Sequence, residues 1–362
     1  MSKKTKAKAS SKSETKEDTM AIGIDLGTSL TKLVGSDGKK EVKIPSLVGD
    51  PNPGWKGLGT DKSWINNLVL TTDAGKKFFV GELARLQSEI KRPLAADGKM
   101  KSLKDAIIAI QAALSNFVEK DYANFVIATG VPVASPQEEM TTLSSGLKGA
   151  MTINVANDST GEEKQINLKI NQCLVMPVCY GSYYEVLKTS GENRAVDAVV
   201  VDIGAGATNI LTVYEGRLMR TASGSVHESI TTLAGRIADN LNKQTGKILR
   251  PFELIKAIEV GRNSVMIAGE QYDISETTNY YVNTIADIIV DELSTLLGTL
   301  PPDAWIEKVI LTGGGAEVFG ENMKNILTEH NIVHSPDEVI VPKDPVMANA
   351  QGFQKIAQAQ IK

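Results

Sequence analysis

The sequence offers little to the commonest catalytic and metal chemistries. Among its 362 residues only Cys173 and Cys179 are cysteine, and they form neither a CxxC pair nor a zinc spacing. They read as small buried apolar residues of a reduced compartment, so a cytoplasmic setting is expected. The three histidines, His227, His330 and His334, build no HExxH site and suggest no triad. No apolar run is long enough to span a bilayer, so no transmembrane segment is expected. A net charge of −4 argues against a surface that coats nucleic acid, though a local basic patch stays open. No direct nucleic-acid motif is present. There is no GxxxxGK[ST], which excludes a P-loop, and "GAGATN" lacks the third glycine and the βαβ setting of a dinucleotide fingerprint.

What remains is ordinary globular composition, with 42% hydrophobic and 23% charged residues, on a chain long enough for two domains. The first 19 residues differ: six lysines, three acids and almost nothing apolar make them a disordered basic tail, without the apolar core of a signal peptide. Such an arm could touch an acidic neighbour, a membrane or DNA. Beyond it strands and helices alternate. "DPNPGW" (Asp50 to Trp55) is a dense turn signal. Ser102 caps a helix whose apolar residues Leu103, Ile107, Ile110 and Leu114 share a face. "FVIATGVPV" is a buried strand, and Ile166, Leu168 and Ile170 alternate as in a strand covered on one side. Helices are expected at Pro177 to Leu187, around "ESITTLAGRIADNL" and "PFELIKAIEVG", at Thr277 to Leu297, and from Pro345 to Ile361. The mixture predicts an α/β fold.

One unusual turn is written twice. "IGIDLGTSLTKLV" (Ile22 to Val34) and "VVVDIGAGATNILTV" (Val199 to Val213) each run from an apolar strand to Asp, then Gly two positions on and Thr six positions on. Glycine and small hydroxyl residues in such a turn present several N–H groups to one point, a nest for phosphate oxygens. The candidates are Gly27, Thr28, Ser29 and the cation Lys32 in the first turn, and Gly204, Ala205, Gly206 and the Thr208 hydroxyl in the second. An aspartate beside phosphate requires a cation between them, so Asp25 and Asp202 point to Mg2+ held partly through water. Two comparable halves facing a cleft would bring the turns together.

At these residues the chain resembles the actin superfamily, which includes actins, MreB, ParM, the DnaK-type chaperones and sugar kinases. The two turns look like its phosphate motifs, "VILTGGGAEVFG" (Val309 to Gly320) like its adenosine motif, and Pro177 to Leu187 with "DPVMANAQGF" (Asp344 to Phe353) like its connecting helices. "FFVGELA", "IKRPLAADGK" and "IATGVPV" are closer to the ParM and archaeal actin-like group. The resemblance implies two similar ribonuclease H-like domains around a nucleotide cleft, each with a smaller subdomain. Domain I would take residues 20–185 and 345–362, with its subdomain near 35–95. Domain II would take 186–344, with its subdomain near 235–285. It further implies ATP or ADP with Mg2+ as cofactor, Asp25 and Asp202 about the metal, and Gly313, Gly314 and Gly315 against the adenosine. Glu185 would position the attacking water. Asn209, where many relatives carry Asp, and Ala205, in place of glycine or aspartate, are departures. Adenine contacts are not legible, with Lys243 and Arg262 as candidates.

The implied activity is an ATPase that polymerises head to tail with copies of itself, for plasmid segregation through an adaptor or DNA-bound partner, or for intracellular organisation. The alternatives in the same superfamily are a small-molecule kinase, for which no acidic base on a separate loop stands out, and a nucleotide-binding scaffold with little turnover. A chaperone would need a peptide-binding domain after the last helix, and none is expected here.

Overall fold

The computed structural model describes residues 19–52 and 60–361. The expected tail lies outside them except for Thr19, which opens the first strand, and the second half of the "DPNPGW" turn lies outside them too.

Two sheets carry the fold, and their central parts repeat one topology. In the first, the order runs Glu41–Pro45, Leu30–Val34, Thr19–Leu26, Tyr122–Val131, Glu163–Pro177. The first three are antiparallel neighbours, and the last three are parallel. In the second, Arg217–Leu218, Thr208–Tyr214, Ala198–Ile203, Lys308–Thr312 and Val339–Ile340 follow the same order and directions. The sequence explains the central strands. "AVVVDI" (Ala198–Ile203) is buried at every position, and four of its six residues are β-branched, as suits a strand covered on both faces. In Glu163–Pro177, Ile166, Leu168 and Ile170 are buried between exposed neighbours, as the alternation predicts. The first sheet continues past Glu163–Pro177 through Gly149–Asn157, Leu68–Thr71, Lys77–Val80, Leu47–Gly49 and Lys91–Pro93, making ten strands in all. The segment expected as a small subdomain thus extends this sheet.

Helices begin and end where local chemistry dictates. Ser102 accepts a hydrogen bond from the Asp105 amide and starts Leu103–Leu114. The buried face of that helix is wider than Leu103, Ile107, Ile110 and Leu114 imply, because the alanines Ala106, Ala109 and Ala113 lie flat against the sheet while Leu103 and Ile107 are only partly covered. Ser229 and Thr232 cap Ile230–Thr245 reciprocally, and Gly246, in the left-handed region, ends it. Pro251–Glu259 and the hairpin Ser264–Ile267 with Glu270–Asp273 follow, then the long helix Ser275–Leu297. The helices Gln137–Leu147 and Ala316–Glu329 complete the layers.

The halves are joined at a helix crossing. Tyr180–Ser190, which leaves the first sheet, packs against Ala348–Gln358, the last helix. They touch backbone to backbone: a Cβ on Gly352 would overlap the Gly181 carbonyl, and one on Gly181 would overlap the Asn349 carbonyl. The last helix meets Thr19–Leu26 in the same way, since a Cβ on Gly23 would overlap Ala350 and Gln354. Glycine is required here by closeness of approach.

Gly352→Ala is therefore expected to destabilise the protein by about 1–3 kcal/mol, the usual cost of overpacking. Gly320→Ala, inside Ala316–Glu329 where a Cβ meets nothing within 4 Å, should stabilise it by about 0.5–1 kcal/mol. Urea midpoints of the two variants check both signs.

Candidate functional site

Open α/β sheets bind ligands beyond the carboxyl ends of their parallel strands. Here those ends from both sheets face one cleft of about 290 Å³. Leu26 to Ser29 follow Thr19–Leu26, Pro132 follows Tyr122–Val131, and Val178 follows Glu163–Pro177. From the other side come Gly204 and Ala205 after Ala198–Ile203, and Gly313 and Gly314 after Lys308–Thr312. The repeated turns meet: a Cβ on Gly206 would lie 2.7 Å from the Thr28 side chain.

The register places an aspartate opposite a cleft-facing partner in each hairpin, Asp25 across from Lys32 and Asp202 across from Asn209. Lys32 Nζ pairs with Asp25 Oδ2 at 2.7 Å. Burial opposes charge on Lys32, yet Asp25, with smaller pulls from Asp202 and Asp344, holds its pKa above the ordinary lysine value. Asp202 is 8% and Asp25 2% exposed. Burial, then repulsion from Asp25, pushes the Asp202 carboxyl up to about 6, against the attraction of Lys32 and a hydrogen bond from Asn349.

The two turns are held from behind. Ser46 donates its hydroxyl to Gly27 O and its amide to Ser29 O. The amides of Ile230 and Thr231, opening a helix, donate to Gly204 O and Ala205 O. With carbonyls turned outward, the N–H groups of Thr28, Ser29, Ala205, Gly206 and Gly314 have no protein partner among the described residues. That donor set fits phosphate oxygens. Two carboxylates are also the protein ligand set that Mg2+ commonly takes beside phosphates and water. Among the described residues no cluster of three or more His, Cys, Asp or Glu could hold a metal alone.

Three expected site residues fall elsewhere. Thr208 is wholly buried and donates to Glu228 O, as Thr31 at the matching place bonds Ser46, so the threonines brace neighbouring loops. Gly315 donates to Ile203 O and starts a helix packed on that residue. Glu185 does not line the cleft. The helix starts at Tyr180, so Glu185 lies on its second turn, ion-paired with Lys355 at 2.7 Å without the alignment of a hydrogen bond. The chain between Glu185 and Asp202 includes the loop 191–197, so spacing from Asp202 alone does not fix which way Glu185 faces.

Residues missed by sequence reading complete the cleft: Ala95, Gly98, Ile230, Glu259, Glu317 and Val346. Desolvation, followed by repulsion from Glu317, raises the pKa of Glu259. Arg262 lines a different groove, and Lys243 is absent from the cleft wall. Asn209 accepts from Ser225 Oγ and the Val133 amide through Oδ1, while its Nδ2 has no partner among the described residues. No described helix is long and apolar enough to cross a membrane.

The raised pKa of Asp202 has a definite sign. Its folded value, about 6, lies above the ordinary 3.8, so ionisation costs stability. That cost is absent below about pH 4 and complete above about pH 6, at most about 3 kcal/mol. Asp202→Asn should stabilise the metal-free protein at pH 7.5 and flatten its stability between pH 4 and 7, as read from urea midpoints across pH.

Comparison with known families places this geometry. Residues 23–181 match the family "Actin like proteins N terminal domain", and residues 200–325 match "Archaeal actin homologue MreB-like, C-terminal". An archaeal actin homologue of Thermoplasma volcanium is 27% identical over 353 residues, covering 94% of this chain and 99% of the relative. The crystal structure of an archaeal actin homologue in complex with ADP superposes with a TM-score of 0.72 at 23% identity, over 94% of this chain and 99% of that one. A MamK double helical filament superposes with a TM-score of 0.70 at 17% identity, over 94% and 99%. With its repeated sheet topology, its two Asp-Gly turns and these matches over both halves, the chain has the actin fold and belongs to the actin-like proteins, with archaeal actin homologues among its relatives.

Proposed function

We propose that this chain is an actin-like cytoskeletal ATPase that assembles head to tail into filaments. The observation that carries the reading is the meeting of the two repeated turns, which brings Asp25, Lys32 and Asp202 within electrostatic reach in one cleft. When bound, Mg-ATP would supply the scissile phosphoanhydride and the divalent charge that the two carboxylates lack.

The chain's own residues divide the work. Amides of Thr28, Ser29, Ala205 and Gly206 would hold phosphate oxygens, and Asp25 and Asp202 would hold the metal. Lys32 would offset charge on the phosphoryl end. Glu259 and Glu317 sit on the cleft wall with Gly313 and Gly314. Carboxylates there repel phosphate and accept from neutral hydroxyl or amine groups, so they suit a nucleoside. Asn209 Nδ2 is the free polar group next to Asp202, and it replaces Glu185 as the side chain that orients water. Copies joined through unlike surfaces do not close and give a helical polymer. Relatives in this superfamily are seen as filaments. We further propose, from the resemblance of its motifs to the ParM group, a role in plasmid segregation or intracellular organisation through an adaptor or DNA-bound partner.

Mixing the protein with Mg-ATP should raise light scattering, give pelletable polymer and release phosphate. No assembly across salt and protein concentration would defeat the filament reading. Asn209→Ala should slow phosphate release at least about tenfold with assembly retained. Glu185→Ala should leave release within about twofold, as expected of a residue outside the reacting centre. Both are read by a phosphate assay on polymerising samples.

A further inference from the structure

Behind the cleft lies a polar chain that the nucleotide reading leaves unused. Asn349, 4% exposed on the last helix, donates from Nδ2 to Asp202 Oδ2 at 2.9 Å. Its Oδ1 accepts from Ser182 twice, from the backbone amide at 3.0 Å and from the hydroxyl at 2.7 Å. The Ser182 hydroxyl also lies 2.9 Å from Thr312 Oγ1, which lies 3.0 Å from Pro345 O. Ser182 and Thr312 are wholly buried.

Hydrogen counting fixes the end that matters. Two hydroxyl hydrogens serve three contacts, so one of the contacts among Asn349, Ser182, Thr312 and Pro345 goes without a hydrogen at any moment. The Pro345 carbonyl is satisfied either way, because the Gly313 amide donates to it at 2.9 Å. The Asn349 end has no such freedom. A backbone N–H can only donate, so the oxygen of Asn349 must face Ser182 and its NH₂ must face Asp202. Ser182 is one residue beyond Gly181, where the connecting helices touch, and Thr312 and Pro345 adjoin Gly313 and Val346 of the cleft wall. One oxygen of Asp202 is therefore tied to the contact at which the two connecting helices meet.

We propose that Asn349 is a positioning residue: it fixes the orientation of the Asp202 carboxylate toward the metal-nucleotide and couples that orientation to the packing of the two connecting helices through Ser182 and Thr312. This rests on the nucleotide reading of the cleft. A carboxylate that turns about its own bond has two oxygens to offer; with Oδ2 held by Asn349, Oδ1 is the one left for a metal. Any change in the helix crossing moves Ser182 and Asn349, and so moves Asp202. The coupling runs both ways, because a metal that draws Asp202 forward pulls on the same bonds.

The experiment titrates ADP into the full-length protein with and without Mg2+ and compares the two affinities as a ratio. Asn349→Ala should lower Mg-dependent ADP affinity by about 10–100-fold, the usual effect of removing a partner behind a metal ligand, while metal-free ADP affinity changes by less than about threefold. In an Asp202→Ala background the same substitution should leave the ratio unchanged. A residue that merely supports the fold would lower melting temperature without this magnesium-specific, Asp202-dependent loss. Ser182→Ala keeps one donor to Asn349 and should show a smaller loss of the same kind; if Asn349→Ala does not fold, this variant decides the matter. An unchanged ratio in the folded variants, or an equal loss with Asp202 absent, overturns the proposal. Wild-type protein that takes up no Mg-ADP brings down the nucleotide reading and this proposal together, whereas normal wild-type binding matched by the variants brings down this proposal alone.

Discussion

Two carboxylates share one lysine at the centre of this molecule, and that imbalance of charge governs its arrangement. Asp25 and Asp202 are almost wholly buried, and Lys32 is salt-bridged to the first. Buried like charges are costly unless compensated. The fold nevertheless brings them together, by placing equivalent strands at equivalent positions in two sheets and directing both turns into one cleft. What such a site lacks is positive charge, and what surrounds it is a set of cleft-facing amides. The preference for a metal-bound anion that we propose would thus be a property of the backbone as much as of the side chains.

The repeat was the most legible part of the sequence, for a physical reason. A buried parallel strand must be apolar throughout, and a tight turn in a cleft must be small. Both demands are local, so they leave a pattern within a few residues. Ser102 as a helix cap and the alternation of Ile166, Leu168 and Ile170 are legible on the same ground. The motif threonines show the limit of such reading. Sequence puts Thr208 in a phosphate-binding turn, but the strand register turns its hydroxyl to Glu228 O, and only a tertiary neighbour reveals that.

Glu185 is the plainer lesson. Its spacing from Asp202 is right for a residue aimed at the cleft only if the intervening loop has the right length, and loops vary freely at small entropic cost. Here the helix start at Tyr180 leaves Glu185 one turn past Gly181, where Lys355 meets it. Glu259 escaped notice because it joins the site across a long stretch of chain with no motif to mark it, while Asn349 and Glu317 lie inside motifs that do not say which of their side chains face the site. Their contribution depends on packing between distant segments, which is the information a single sequence carries least openly.

Each rim of the cleft is tied to its own turn. On one side, Ala95 and Gly98 sit on the small hairpin Ala95–Ala96 with Lys99–Met100, which among the described residues forms no ladder with either large sheet. Its neighbour Leu94 donates its amide to Ser46 O, and Ser46 in turn holds the Gly27 and Ser29 carbonyls of the first turn. On the other, Ile230 opens a helix and donates its amide to Gly204 O of the second turn. A ligand that displaces either turn therefore tugs, through one or two backbone hydrogen bonds, on the rim beside it.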